Sequence, residues 1–164
     1  MEVSGKMPVP KSVTRVTKDG VKIISNVDKA QYFMFELCRA ALRDSGKIVA
    51  RRFRDKYYNH FKKHTGSGGK SIKYKVWSNE NTIQPRLQIG IPHAHRGKKV
   101  KGFYAYFHEM GTSKTPALGF LRKSVEENIA EIVNAQSQYL SALEDEARAL
   151  SLIDENEMEG GEDE

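Results

Sequence analysis

The 164-residue sequence has one cysteine, five prolines, one tryptophan and no apolar run long enough to cross a bilayer. A single cysteine cannot form an intramolecular disulfide, and Cys38 lies in an apolar stretch, so we expect a buried structural thiol. A membrane-spanning helix needs about 20 consecutive apolar residues. The first residues, MEVSGKMPVPKS, also lack the apolar stretch of a secretory signal. We therefore expect a protein that is made and kept in a cytoplasm, without a membrane partner.

The common signatures of catalysis are also lacking. There is no G-x-S-x-G elbow and no Cys-with-His signature of a nucleophile. Residues 65–71 end in Gly-Lys-Ser, but they follow a predicted helix and precede a predicted strand, which is the reverse of the order in a phosphate-binding loop. His60 and His64 are four apart on a predicted helix, yet no Glu or Cys adjoins them to complete a metal site. We expect no metal, no cofactor and no enzymatic activity.

Positive charge is concentrated in the body of the chain. The formal net charge is +6, but ten acidic residues and only one basic residue lie at or after Glu144, so residues 1–143 carry 26 basic and 11 acidic side chains, a net charge of +15. Such a body attracts nucleic acid or acidic protein surfaces. The alternative, equally open from the sequence, is a solvated basic face with a solubilising acidic tail.

The organisation along the chain predicts an α+β protein. Residues 1–11 are expected to form a flexible arm, residues 12–150 a single α+β domain, and residues 151–164 an acidic disordered tail. An N-terminal β-hairpin is predicted where Asp19-Gly20 separates two β-favouring runs.

One long helix is predicted from about residue 28 to 64, with Asp28 as its N-cap and Ser45-Gly46 as a weak point or bend. Two strands near residues 72–76 and 87–91 should pair antiparallel, with one face on the long helix.

After Pro116 a C-terminal helix is predicted. Its apolar stripe from Leu121 to Leu150 could pack on the long helix or on a neighbouring subunit. Residues 92–102 have no core pattern and are predicted to form a projecting loop that contacts a partner through four basic side chains, Arg96, Lys98, Lys99 and Lys101.

Residues 104–121, YAYFHEMGTSKTPALGFL, contain the most distinctive pattern. It consists of Tyr104-Ala105, then Glu109-x-Gly111-Thr112-Ser113, then Ala117-x-x-Phe120-Leu121-Arg122 ahead of an amphipathic helix. This order resembles the tail-completion or neck (head-tail joining) proteins of lambda-like long-tailed bacteriophages. The chain departs from the family pattern at Gly119 and Lys123, where proline is common. The acidic extension is also outside that pattern.

The resemblance implies a small structural virion subunit that is assembled in the host cytoplasm. It implies a homo-oligomeric ring, usually sixfold, at the junction of portal connector and tail tube. Its partners would be connector or head-completion proteins and tail-tube proteins, with possible non-specific contact with packaged DNA. The alternative function is a basic nucleic-acid-binding module, in which charge reversal at Arg51, Arg52 and Arg54 should abolish binding.

Elementary chemistry assigns roles within the motif. Gly111 is suited to a positive φ or a close backbone approach. Thr112 can cap backbone donors of the turn, and Glu109 can accept hydrogen bonds from nearby N–H groups or pair with a side chain such as that of Arg122. Phe120 and Leu121 are predicted to pin the last helix to the sheet. These residues and Tyr104 form the candidate interface, although a well-packed turn without partner contact is an equally open interpretation.

Overall fold

The computed structural model describes residues 9–16, 20, 22–61, 67–77, 84–92 and 102–159, without the side chains of Arg15 and residues 156–159. The predicted α+β class is confirmed, and so are the N-terminal hairpin, the long helix and the small antiparallel sheet. The elements are β1 (Val13–Val16), β2 (Lys22–Ser25), α1 (Val27–His60), β3 (Lys73–Trp77), β4 (Arg86–Gly90), α2 (Tyr104–Met110), α3 (Phe120–Glu126), α4 (Ile129–Ser141) and α5 (Glu146–Glu159), with 3₁₀ turns at Gly69–Ser71 and Ala142–Glu144.

The long helix α1 is the axis on which the other elements pack. Its 34 residues span about 51 Å at 1.5 Å per residue. The helix begins after Asn26, so Asp28 is in the first turn and not the N-cap that the sequence suggested. An acidic residue there still complements the positive end of the helix dipole. One core forms against each half of α1.

The first core lies between the N-terminal half of α1 and helices α4 and α5. Gln136 of α4 donates a hydrogen bond of 3.0 Å to the buried Ser45 hydroxyl, which in turn donates to the carbonyl of Ala41. This arrangement satisfies a polar group inside an apolar contact. The buried members of this core are Tyr32, Phe33, Leu37, Ala40, Ala41, Tyr139, Ala142, Ala149 and Ile153.

The second core lies between the C-terminal half of α1, the β3–β4 sheet, α2 and α3. Its buried members are Ala50, Phe53, Tyr57, Ile72, Ala105 and Phe120. Tyr57 is central because its ring packs against Phe53 at 5.7 Å, Phe61 at 4.7 Å and Phe120 at 6.1 Å. The aromatic residues of the basic helix half therefore belong mainly to the core.

The β3–β4 sheet packs on α1 as predicted. The strands are antiparallel, with Tyr74 opposite Ile89 on the inner face. Gly46 permits the close approach, since a Cβ atom there would lie 2.6 Å from Cδ2 of Tyr74. The helix continues through Ser45 and Gly46, so this glycine makes room for a ring within an unbroken helix.

The C-terminal region is three helices, and the prediction of one helix is wrong. The Asn128 side chain donates to the carbonyl of Ser124 at the α3–α4 junction, and the Asp145 carboxylate accepts from the N–H groups of Ala147 and Arg148 at the start of α5. Asn and Asp favour such local bonds over helix continuation. Helix α5 then runs beyond the predicted boundary at residue 151 as far as Glu159, because Ile153, only 2% exposed, anchors it in the first core.

The β1–β2 hairpin lies outside both cores. Its predicted pairing is confirmed, with Val13 opposite Ser25 and Val16 opposite Lys22. All its described side chains are exposed, including Ile23 at 52% and Ile24 at 57%. None of the described helices is long and apolar enough to cross a membrane.

Candidate assembly surfaces

The residues of the distinctive motif form one connected unit, α2–turn–α3. The Glu109 carboxylate accepts a hydrogen bond of 2.8 Å from the N–H of Leu121 and one of 3.2 Å from the N–H of Arg122. Helix α3 receives no side-chain bond from its own N-cap residue, Gly119. Glu109 therefore supplies the cap from the preceding helix, and its negative charge lies at the positive end of α3. The predicted acceptor role of Glu109 is confirmed.

The turn between the two helices is held by the backbone and one hydroxyl. Thr112 and Thr115 exchange backbone hydrogen bonds of 2.8 and 3.2 Å. The Thr112 hydroxyl accepts from the N–H groups of Lys114 and Thr115, as predicted for a turn cap. Gly111 has φ 78° and ψ 168°, a region that only glycine adopts readily. A side chain at this position would also lie 2.8 Å from the backbone nitrogen of Ala117.

Phe120 is buried at the C-terminal end of α1, where its ring is 5.3 Å from His60 and 6.4 Å from Phe61. It belongs to the core that the inner face of the β3–β4 sheet also covers, so α3 is attached to a core shared by the sheet and the long helix. Leu121 packs at the edge of the same core. The Arg122 guanidinium is exposed and pairs with Glu126 at 2.7 Å, while its backbone N–H meets Glu109. Hydrogen bonding to Glu126 raises the pKa of Arg122.

The exposed side of α2 is an apolar patch that the sequence analysis missed. Phe103, Phe107 and Met110 are all exposed, Met110 by 63%, and Tyr104 lies at the margin with its ring 6.2 Å from that of Phe103. The spacing of 103, 107 and 110 is helical, which was the available signal. We call these four residues the α2 patch. The predicted basic contact loop, Arg96, Lys98, Lys99 and Lys101, lies outside the described residues but leads directly into α2.

A second apolar surface is a groove between α1 and α4, with a volume of about 470 Å³. Its walls include Met34 and Cys38 of α1, Leu140 of α4, and Leu143. Cys38 is exposed here, so the prediction of a buried thiol is wrong. We call this surface, lined by residues of both helices, the α1–α4 groove.

The predicted C-terminal stripe is mostly solvent-facing, since Val125, Ile129, Leu140 and Leu143 are exposed.

The positive charge of α1 is largely engaged within the chain. Arg51 and Arg52 both bind the carboxylate of Glu131 on α4, at 3.0 and 2.7 Å, and Lys56 pairs with Glu127. The hydrogen bond from Arg52 is the main reason that the pKa of Glu131 is lowered and that of Arg52 is raised. These basic residues therefore help to dock α4 on α1.

An exposed basic face occurs instead on the outer side of the β3–β4 sheet. This face carries the alternate residues of β3, which are Lys73, Lys75 and Trp77. On β4, Gln88 lies opposite Lys75 and Arg86 lies opposite Trp77. The Lys75 ammonium lies 4.5 Å from the centre of the Trp77 ring, and the indole N–H donates to Gln88. A row of cations beside an exposed indole is a surface suited to a polyanion.

Metal-ligating side chains do not cluster in the part of the chain that the structure describes. The His60 ring lies 5.3 Å from that of Phe120 but the residue is exposed, whereas the half-buried His108 has its ring 4.8 Å from that of Phe61. His64 is outside the described residues. Comparisons with protein-family models, with curated proteins and with solved structures found no match for this chain.

Proposed function

We propose that this chain is a structural virion protein of a tailed phage, a tail-completion or head-tail joining subunit. It forms a ring, with six copies as the expected number, between the portal connector and the tail tube. Assembly is its activity, and it catalyses no reaction. Its partners are further copies of itself, connector or head-completion proteins and tail-tube proteins.

The observation that carries this proposal is the Glu109 cap on α3. The motif that resembles the phage family is one physical unit, because Glu109, Gly111 and the N–H of Leu121 depend on one another for their geometry. Interdependent residues are expected to occur together as a signature. The unit fixes α2 so that the α2 patch faces solvent.

Exposed apolar surface supports an assembly role. Contiguous apolar patches on soluble proteins commonly mark interaction sites. Among the residues that the structure describes, such surfaces include the β1–β2 hairpin, the α2 patch and the α1–α4 groove. A subunit placed between neighbours and two axial partners needs several separate contact surfaces.

The test combines native mass spectrometry with a joining assay. Purified protein should form a closed oligomer, and it should restore infectivity to tails that lack it. Met110→Lys in the α2 patch should abolish joining without loss of helical content, whereas Lys123→Glu on exposed α3 should not. A strict monomer that neither binds tails nor restores infectivity would refute the proposal.

The outer face of the β3–β4 sheet favours a second candidate, a nucleic-acid-binding module. Trp77 is the only tryptophan, so its fluorescence reports directly on this face. A single-stranded oligonucleotide should quench it, with affinity that falls steeply as salt rises. Lys75→Glu should weaken binding, and Lys114→Glu should not. Unchanged fluorescence at low salt would exclude this surface.

Charge reversal at the arginines of α1 is a less specific test of nucleic-acid binding. Arg51 and Arg52 are committed to Glu131, so their reversal is expected to disturb the docking of α4. Helical content and thermal stability should accordingly be measured for these variants before any loss of binding is interpreted.

A further inference from the structure

We propose that the β1–β2 hairpin of one copy inserts into the α1–α4 groove of the next, so that this pair of surfaces closes the ring. The inference rests on the ring-forming function proposed above. It adds the identity of the two surfaces that meet and the direction of the contact.

The elements that the structure describes leave the hairpin of the same chain uncovered. An isolated two-stranded hairpin is marginally stable in water. Here the cross-strand register places Val13 and Ile23 on one face and Val16 and Ile24 on the other. All four are exposed, and no described element of the same chain covers either face. Covering these side chains would remove apolar area from water and protect both strand edges.

The groove offers a surface of matching chemistry. It is walled mainly by aliphatic and thiol side chains and has a volume of about 470 Å³. Met34 and Leu140, on its two walls, are both more than half exposed. The hairpin of the same chain does not fill it, since Ile23 and Ile24 remain open to solvent.

Charge complementarity favours the hairpin over a generic apolar partner. Residues 11–25 contain four basic residues and one acidic residue, a net charge of +3. The groove wall ends at Leu143, and the next three residues are Glu144, Asp145 and Glu146. Asp145 caps α5 and Glu146 pairs with Lys29, so the exposed Glu144 is the carboxylate that attracts a basic hairpin to this end of the groove.

The two surfaces are different, so the contact is heterologous. Each copy presents one hairpin and one groove, and a head-to-tail contact of this kind gives a ring when the rotation between successive copies closes, and an open filament when it does not. A symmetric dimer would instead require one surface to meet itself.

Cys38 provides a direct test because it is the only cysteine and lines the groove. In full-length Ile23→Cys protein, mild oxidation should link Cys38 of one copy to the new thiol of the next. A disulfide requires Cα atoms about 4.4–6.8 Å apart, so the link reports true proximity. The expected result is a ladder beyond dimer on a non-reducing gel, with a peptide joining positions 23 and 38 in mass spectra. Lys114→Cys should give no such ladder.

Native mass spectrometry of the same samples separates the two proposals. A ring without the 23–38 peptide would overturn the hairpin–groove contact and leave the ring-forming function standing. Absence of both ring and cross-link would overturn both.

Two matched variants on α4 test the same contact independently, through their effect on assembly. Leu140→Asp places a charge in the groove, and Val133→Asp places one on the same helix outside it; the two positions are 64% and 54% exposed. Both should keep the wild-type helical content. Leu140→Asp should weaken assembly at least about tenfold, as for a buried interface anchor, and Val133→Asp should leave it intact. Equal assembly by both variants would contradict the contact.

Discussion

The carboxylate of Glu109 and the backbone N–H of Leu121 are joined by a hydrogen bond of 2.8 Å, through which one helix caps the next. Helix α3 is only seven residues long and has Gly119 before its first residue, so it lacks the local cap that short helices need. The link from Glu109 therefore joins α2, the turn and α3 into the unit that presents the α2 patch.

Removal of this cap should lower stability. Glu109→Ala leaves the N–H groups of Leu121 and Arg122 without their acceptor, at an expected cost of about 1–2 kcal/mol in the free energy of unfolding. Glu109→Gln retains one acceptor oxygen and should cost less. Urea titration followed by circular dichroism measures both. Glu126→Ala, which removes only an exposed side-chain pair, should have a small effect. Equal losses at positions 109 and 126 would show that the cap is unimportant.

Two glycines with positive φ should differ in their tolerance of alanine. Gly111 combines a glycine-only conformation with a close approach to Ala117, so Gly111→Ala should cost about 3 kcal/mol. Gly119 has φ 61° and ψ 36° with open space around it, so Gly119→Ala should cost about 1 kcal/mol. Thermal unfolding of the two variants provides the comparison. Gly111→Val should be more damaging still, and a Gly111→Val protein with normal folding and assembly would refute the assigned role.

The ion pairs of Glu131 with Arg51 and Arg52 should make a contribution to the stability of the folded chain that depends on pH. Its pKa is lowered in the folded chain by the hydrogen bond from Arg52. The pKa of Glu131 is therefore lower in the folded chain than in the unfolded chain, where it is about 4.3. The stabilisation from its ionised form is fully present above the unfolded pKa and is lost as the pH falls through the folded pKa.

The melting temperatures of wild type and Glu131→Gln should therefore differ at neutral pH and converge in acid. High salt should also reduce the difference, because both partners are partly exposed. A difference that is constant across pH would mean that ionisation of Glu131 does not contribute.

Tyr57 should ionise at high pH. Burial is the main cause that raises its pKa to about 12. The folded state favours the neutral phenol of Tyr57. The stabilisation that this neutral side chain gives to the folded chain is therefore fully present below the unfolded pKa of about 10 and is lost as the pH rises toward 12. Absorbance titration near 295 nm should show a late step that disappears in Tyr57→Phe and persists in Tyr106→Phe. Loss of the late step in both variants would contradict the assignment.

Local patterns in the sequence predicted much of the fold. Alternation around Asp19-Gly20 indicated the hairpin, and the long period from residue 28 indicated α1 to within a few residues of its observed end at His60. The roles of Gly111, Thr112 and Glu109 also followed from their chemistry, since turn caps and positive φ depend on near neighbours.

Features set by tertiary context could not be predicted in the same way. The breaks at Asn128 and Asp145 look like ordinary helix surface in a periodic pattern, and only the packing of α4 and α5 on α1 reveals them. Cys38 lies in an apolar segment, but its exposure depends on the groove that α4 leaves beside α1. The packing of Phe120 at the end of α1 likewise depends on which elements meet in the fold, and sequence spacing does not specify this.

The most direct test of the proposed head-tail joining role is a three-dimensional image of the particles produced from the genome that encodes this chain. We predict density for a ring at the junction of head and tail, with a mass of about 112 kDa if six copies of the 18.6 kDa chain are present. Antibody labelling away from that junction, or mature particles that contain no copy of the protein, would contradict it.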